Sequence, residues 1–441
     1  MSKQSDMNSS RRLIASAAAL ACAATALAGD CTPSWSTALG TPGMNSGYVA
    51  SFLVHDDGTG PSLYATGTFT AAGGSPNTAR IARWNGATWV GLGTGLVSQF
   101  SNTMATFQGD LFVGGYFDSA SGVPGTAKLA RWDGTQWNSV GAQLESFLSS
   151  VWSFEVFDDG NGDALYIGGN YVNIGGLGID HIARFDGTTY SAVGGGTIVG
   201  PNQIVLALKN YNGALYAAGR FQTVAGVSAL NIARFDGNSW SAVGGGITGT
   251  QVVCMEVHDG DLYVGGGFTA AGGVPATRIA RWDGSQWHAL GAGLNSTVQR
   301  LVSYDDGSGS ALYAVGNFTA TGDGALSLPH VARWNGTSWE NVGAANANVF
   351  GLATWNDGTQ EVMLIGGSLT TINGEPTGRV AAYVGCATTS EPSADLNGDG
   401  VVDGADLGIL LKNWGGSGIA DLNGDGVVDG ADLGILLASW G

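Results

Sequence analysis

The chain has 441 residues, 44% of them apolar and only 12% charged, with 75 glycines and a formal net charge of −18. That much glycine beside that much apolar content excludes a disordered chain and points to a turn-rich β protein, one too long for a single small core unless it is built of repeats. The acidic balance argues against nucleic acid and anionic membrane surfaces as partners.

Residues 1–28 read as an export signal. Arg11 and Arg12 form a positive start, LIASAAALACAATALA is apolar and small, and Ala26-Leu27-Ala28 fits an A-x-A cleavage site. The arginine pair hints at a twin-arginine route, with the general secretory route as the default, and Ala19-Leu20-Ala21-Cys22 is a poor lipobox. No other apolar run is long enough to span a bilayer. The mature protein is therefore expected to be secreted, at the cell surface or periplasmic. Cys22 leaves with the signal, and Cys31, Cys254 and Cys386 remain in an oxidising compartment.

Residues 29–386 repeat one theme. Its clearest copy, 261–291, reads DLYVGGGFTAAGGVPATRIARWDGSQWHALG. With VVCMEVHDG just upstream, it holds four short β-favouring runs joined by turn signals such as Asp-Gly. The aromatic of the third run recurs at Trp84, Trp132, Phe185, Phe235, Trp282, Trp334 and Tyr383, in steps of 48, 53, 50, 47, 52 and 49. Four strands per unit at a period near fifty predict an all-β, seven-bladed β-propeller.

Six units end in a fourth strand such as QWHALG, but the seventh stops at Cys386. The missing strand is matched by Ser34–Gly40, SWSTALG, and an N-terminal strand that completes the last blade would close the ring and leave no free edge. Cys31 lies just before that strand and Cys386 just after the one it should join. A Cys31–Cys386 disulfide is expected, closing a loop of more than 350 residues; two free exported thiols are the alternative. Cys254, inside VVCMEV, reads as a small buried hydrophobe.

Repetition also bears on the charged residues. Arg83, Arg131, Arg184, Arg234, Arg281 and Arg333 could form a cationic ring around a channel, or each could pair with a carboxylate of its own blade; recurrence favours the second. HDDGTG, FDDGNG and YDDGSG read as long hairpin turns rather than calcium sites. The five histidines show no ligand spacing, and neither H-E-x-x-H nor G-x-S-x-G occurs.

Residues 387–394 read as a linker. Beyond it, ADLNGDGVVDGADLGILL occurs at 394–411 and again at 420–437. Each copy has the spacing of a calcium loop. Asp395, Asn397 and Asp399 alternate, Gly400 permits the sharp turn, Val401 offers a carbonyl, and Asp403 and Asp406 complete the set. Asp421, Asn423, Asp425, Gly426, Val427, Asp429 and Asp432 repeat it. Calcium takes six to eight oxygens, which alternate residues on a tight turn bring to one centre; two calcium ions are expected. The last position holds Asp where an EF-hand has a bidentate Glu. A helix follows each loop, with Leu407, Leu410, Leu411 and Trp414, then Leu433, Leu436, Leu437 and Trp440, on one apolar face. Gly415 and Gly441 stand where the helices should stop.

This duplicated loop-plus-helix, spanning 395–441, resembles a type I dockerin. The resemblance implies that calcium orders the helices and that a helix face docks on a cohesin-like protein. In that family the two positions that govern partner choice fall here on Gly404-Ala405 and Gly430-Ala431, smaller than the residues usual there. Two calcium-stapled helices that bind nothing are the alternative, since a module this small needs metal to fold. The repeats of 35–385 resemble kelch-type propellers through the Gly-Gly after the second strand and the Trp of the last, which specifies fold and not function. Galactose-oxidase-type copper enzymes share that fold, but Cys254 is a poor candidate for their cross-linked cysteine. The expected function is an exported, non-catalytic binding or display propeller tethered by the C-terminal module to a cohesin-like partner, with a glycan or protein as the propeller's own ligand. The alternative is a carbohydrate-active enzyme, a polysaccharide hydrolase or lyase, carried as cargo. The monotony of the ring favours binding.

Overall fold

The computed structural model describes residues 31–141, 144, 149–356, 360–386, 394, 396, 402–416, 420–422 and 427–440. The expected signal, 1–28 with Cys22, and linker residues 387–393 lie outside the described residues. The chain forms two compact units, one running to Asp305 and from Gly309 to Gly385, the other made of Asp306–Ser308 and the residues from Cys386 onward.

The first unit is all-β and propeller-like. Among the described residues it holds seven antiparallel sheets of four strands, one of which gains a short fifth, Val274–Pro275, besides small ribbons in the loops. Each sheet begins with an inner strand: Val49–Asp56, Phe100–Phe107, Val151–Asp158, Ile204–Tyr211, Ile247–His258, Val298–Asp305 and Val349–Asn356. Every inner strand lies against the inner strand of the next sheet, and the last lies against the first. The second strands are covered on both faces, so runs such as Leu63-Tyr64-Ala65 and Leu165-Tyr166-Ile167 are fully buried and do not alternate.

Packing between sheets explains the glycine pairs after the second strand. A Cβ on Gly114 would lie 2.6 Å from Val151 Cγ1, and one on Gly265 would lie 2.7 Å from Val298 Cγ1, both on the next inner strand. The same holds across the chain's ends, where a Cβ on Gly366 would come 2.8 Å from Val49 Cβ.

The seventh sheet takes its fourth strand from the start of the chain. Ser34–Ser36 pairs antiparallel with Val380–Val384, with Trp35 opposite Tyr383. The strand is shorter than the sequence suggests, because Ala38–Gly40 turns into a 3₁₀ helix. Fourth-strand aromatics then tie each sheet to the one before. Trp89 Nε1 donates to the Leu39 carbonyl at 3.0 Å, Trp137 to Leu92 at 3.1 Å, Trp240 to Val193 at 3.0 Å, Trp339 to Leu290 at 3.1 Å and Trp35 to Val342 at 2.7 Å. In the third sheet the Tyr190 hydroxyl makes this bond to Val140, at 2.6 Å. Trp287 breaks the pattern, its buried Nε1 having no acceptor.

The repeated arginines pair locally. Arg83 meets Asp57 at 3.3 Å, Arg131 meets Asp110 at 2.9 Å, Arg184 meets Asp159 at 3.0 Å, Arg281 meets Asp261 at 3.0 Å and Arg333 meets Glu340 at 2.7 Å. Arg234 contacts Tyr216 instead. The acidic motifs are turns. Asp56 Oδ1 accepts from the backbone N–H groups of Gly58 and Gly60, both at 2.9 Å, and Asp158 does the same for Gly160 and Gly162, both at 2.8 Å. Burial raises the Asp57 carboxyl, but hydrogen bonds from Thr59 and Tyr64, with Arg83 nearby, outweigh it and leave the pKa below its ordinary value.

One further recurrence escapes the sequence pattern. The residue before each third strand has positive φ: Arg80, Lys128, His181, Asn231, Arg278, His330 and Arg379, with φ between 60° and 76°. Its carbonyl accepts from a glycine of the second strand, as in Gly67 N to Arg80 O at 3.1 Å and Gly266 N to Arg278 O at 2.9 Å. Left-handed backbone costs such side chains about 1–2 kcal/mol each, and the bend it makes carries the chain into the next strand.

Among the described residues the second unit contains two helices, α1 (Gly404–Lys412) and α2 (Gly430–Ala438). Leu410, Ala420, Leu422, Val428 and Leu436 form its core, with Leu407 and Leu433 at the edge. α1 stops at Lys412, with Asn413 as its C-cap, earlier than the stop expected at Gly415. Gly415, at φ 77°, lies in the turn that follows, where its N–H donates to Val428 at 2.8 Å while Val428 N–H returns a bond to Gly416 at 2.7 Å.

Candidate functional site

The inner strands carry the residues that break the repeat. Each contains a β-bulge at the same place, and the extra residue is Ala50, Asn102, Trp152, Leu206, Val253, Gln299 or Phe350. A bulge leaves one residue out of the ladder and turns it away from its neighbours. All seven line one cavity of about 410 Å³, joined by Tyr48, Ile204, Gln251, Arg220 and Arg300. The residues after the bulge, among them Ser51, Thr103, Ser153, Ala207 and Cys254, line an adjoining cavity of about 140 Å³. Trp152, Leu206, Val253 and Arg300 face both.

The ring is therefore not monotonous where its sheets converge, contrary to the reading from the repeat. Monotony belongs to the third and fourth strands. Sequence reasoning missed the lining because it aligned the units on IARW, whereas the variation lies upstream in VASF, SNTM, VWSF, VLAL, VVCM, VQRL and VFGL.

The cavity's chemistry is one-sided. Among the described residues its lining holds two arginines, amides and aromatics, and no Asp or Glu. Arg300, partly buried, donates to the Gln299 carbonyl at 2.8 Å, and Arg220 Nε donates to the Asn202 carbonyl at 2.7 Å. Among the described residues neither forms an ion pair, unlike five of the six repeat arginines. Burial lowers the Arg300 pKa from its ordinary value. Asn102 Nδ2 and Trp152 Nε1 are buried with no protein acceptor. Tyr48 and Phe350 pack at a tilt of 51° with centroids 4.9 Å apart, and the Trp152 ring lies 5.8 Å from that of Phe100. Cys254 is a free, buried cysteine, and burial pushes its thiol up to about 12, the behaviour of a packed hydrophobe. Cys31 and Cys386 are both disulfide-bonded.

In the second unit, the expected calcium ligands Asp395, Asn397, Asp399, Val401, Asn423 and Asp425 lie outside the described residues, as do Gly400, Gly426 and Gly441. The described members of the two sets adopt one geometry twice. Asp406 is fully buried, its Oδ1 accepting from Leu396 N at 2.7 Å and its Oδ2 from Asp403 N at 2.8 Å. Asp432 accepts from Leu422 N at 2.6 Å and Asp429 N at 2.7 Å. Asp403 and Asp429 cap the helices, each accepting from the N–H two residues on, Ala405 or Ala431, at 2.8 Å. The shorter last carboxylate is thus drawn inward and fixed by the loop's own N–H groups. The described members of the two sets offer oxygen donors only, which suits a hard cation such as calcium.

The apolar helix face splits in two. Leu410 and Leu436 turn fully into the core, but Leu411 and Leu437 on the helices are 52% and 53% exposed, and Trp414 and Trp440, expected on the same face, lie past the helix ends and are 48% and 46% exposed. Gly404, Ala405, Gly430 and Ala431 are exposed in the first helical turns. No helix among the described residues is long and apolar enough to cross a membrane.

No protein-family profile matches the chain, and no curated protein matches it. Solved structures that it resembles include the computationally designed Ika8 protein, at TM-score 0.42 and 11% identity over 76% of this chain and 83% of that one. The WD40 β-propeller domain of Doa1 gives 0.43 and 14%, over 77% and 94% of the two chains. BBS1N in complex with ARL6DN gives 0.44 and 10%, over 78% and 95%. The architecture rests on the strand pairings described above.

Proposed function

We propose that the first unit is a closed, seven-bladed propeller serving as a non-catalytic binding platform, and that residues 395–441 form a dockerin-like module that tethers it, through two calcium ions, to a cohesin-like partner outside the cytoplasm. The observation that carries the tether is the duplicated geometry of Asp406 and Asp432, each buried and anchored beside a helix start. Asp395, Asn397, Asp399, the Val401 carbonyl, Asp403 and Asp406 would hold one ion, and their counterparts in the second copy the other. A bound calcium would neutralise these carboxylates and hold each loop closed. The chain itself supplies the helix caps and the exposed Leu411/Trp414 and Leu437/Trp440 pairs, apolar surface suited to a docking partner.

The binding reading of the propeller is supported by the cavity's lining of arginines, amides and aromatics. Hydrolysis of glycosides commonly uses two carboxylates, which this lining does not supply. The test is calcium titration of the mature chain by calorimetry, followed by binding to purified cohesin modules with and without chelator, and an activity screen on polysaccharides. Two calcium events and calcium-dependent cohesin binding are expected; a tail that stays helical and binds equally without calcium would overturn the tether.

A further inference from the structure

The axial cavity has a charge opposite to that of the chain. The protein carries a net charge of −18, yet among the described residues two arginines without carboxylate partners face this cavity and no acid does. Strand register extends the contrast. Gly67 pairs with Val49 at the start of an inner strand and donates to Arg80, so the positive-φ residues stand at the end of the sheets where Tyr48 and Ala50 line the cavity. Four of them are Arg80, Lys128, Arg278 and Arg379. The capped turn carboxylates Asp56, Asp158 and Asp305 stand at the other end of the inner strands. The connections that carry the positive-φ residues also hold Asp118, Asp180, Asp323 and Glu375, so the contrast between the two ends is one of degree, and the cavity lining is where cations stand without acids among the described residues.

Inside the cavity the unmet chemistry is donor chemistry. Asn102 is only 5% exposed, and among the described residues neither its Nδ2 nor the indole Nε1 of Trp152 finds an acceptor. A buried donor left unpaired is costly, so a site with several of them suits an acceptor-rich ligand. The volume of about 410 Å³ lies within the usual range for small-ligand pockets, about 300–1,000 Å³. Aromatic faces accept the C–H faces of a ring, amides match hydroxyl groups, and a guanidinium matches a carboxylate with two parallel bonds.

We propose that the cavity binds an acidic saccharide, with the carboxylate of a uronate ring held by Arg300 and Arg220 and the ring laid against the aromatic wall of Trp152, Tyr48 and Phe350. This rests on the reading of the propeller as a binding platform and specifies its ligand class.

The test uses the full mature chain with calcium present, titrated by calorimetry with oligogalacturonate, oligoglucuronate, their neutral counterparts and inorganic sulfate. One or both oligouronates should bind at least about tenfold more tightly than the neutral oligomers, with affinity falling as salt rises. Arg300→Gln should weaken binding about tenfold to a hundredfold. Arg278→Gln, at the same end but outside the cavity, should change it less than about threefold. If Arg300→Gln fails to fold, Arg220→Gln and the salt dependence of the unaltered chain decide instead. Equal binding of neutral oligomers, sulfate competing as well as uronate, or no uronate binding at millimolar concentration would each overturn the proposal. Neutral binding would leave the platform reading standing. Cleavage of the bound oligouronate would overturn the platform reading and leave this inference standing.

Discussion

Trp35 Nε1 donates to the carbonyl of Val342 at 2.7 Å across 307 positions of sequence. Trp35 holds the fourth-strand place that Trp137 holds in its sheet, and Val342 follows a fourth strand as Leu92 does, so the bond that ties the seventh sheet to the sixth repeats the one from Trp137 to Leu92. The start of the chain is thereby held by backbone pairing on one side and by an indole on the other.

The Trp series yields a differential prediction. Trp339→Phe removes a donor that meets the Leu290 carbonyl, while Trp287→Phe removes one that meets nothing. Both lose part of a buried ring, but Trp339→Phe should cost about 1 kcal/mol more in urea unfolding. Equal costs would mean that these hydrogen bonds add nothing beyond packing. Trp35→Phe should behave like Trp339→Phe.

Chelation should act on the tail alone. With calcium removed, the far-ultraviolet signal of α1 and α2 should fall while the near-ultraviolet signal of the propeller tryptophans persists. Asp406→Ala leaves the Leu396 and Asp403 N–H groups without their acceptor and should abolish one of two calcium-binding events. Calorimetric stoichiometry checks it, and two undiminished events in the variant would count against the assigned loop.

Glu155 gives a pH dependence. Burial pushes its carboxyl up to about 7, against the hydrogen bond from Asn210 N at 2.9 Å and the nearby Lys209, which pairs with Glu256 at 2.9 Å. A carboxyl raised in the folded state favours folding while protonated, and that contribution is lost as pH rises from the ordinary carboxylate range through about 7. Glu155→Gln should therefore match the unaltered protein near pH 4 and exceed it at pH 8 by up to about 3 kcal/mol, as measured by urea unfolding at both pH values. A variant less stable at pH 8 would refute the assignment.

The oxidised cysteines are open to direct mapping. Digestion without reductant should release the peptides containing Cys31 and Cys386 as one linked species, and reduction should separate them. Recovery of Cys254 in any linked peptide would contradict its burial as a free thiol.

Much of the propeller was legible because its constraints repeat. The period of Trp84, Trp132 and their counterparts reports sheets, and the SWS of Ser34–Ser36 could be recognised as a stray copy of a fourth strand. Local pairing of Arg131 with Asp110 was legible for the same reason. The cavity was not, because a bulge adds one residue to an inner strand and shifts which side chains face the axis. Periodicity of two cannot report that shift, so Asn102, Trp152, Gln299 and Arg300 looked like ordinary strand residues. The split of the helix face was hidden too: Leu410 and Leu411 are adjacent in sequence, and only the helix's packing decides that the first is buried and the second exposed.

The bulges have a consequence for how such a protein diversifies. Ala50, Asn102, Trp152, Leu206, Val253, Gln299 and Phe350 stand outside the register that aligns their strands. Replacing one need not shift a ladder bond or disturb a glycine contact between sheets. The lining of the cavity and the architecture are thus encoded at separate addresses, and seven independently variable letters could reshape that lining while the scaffold stays constant.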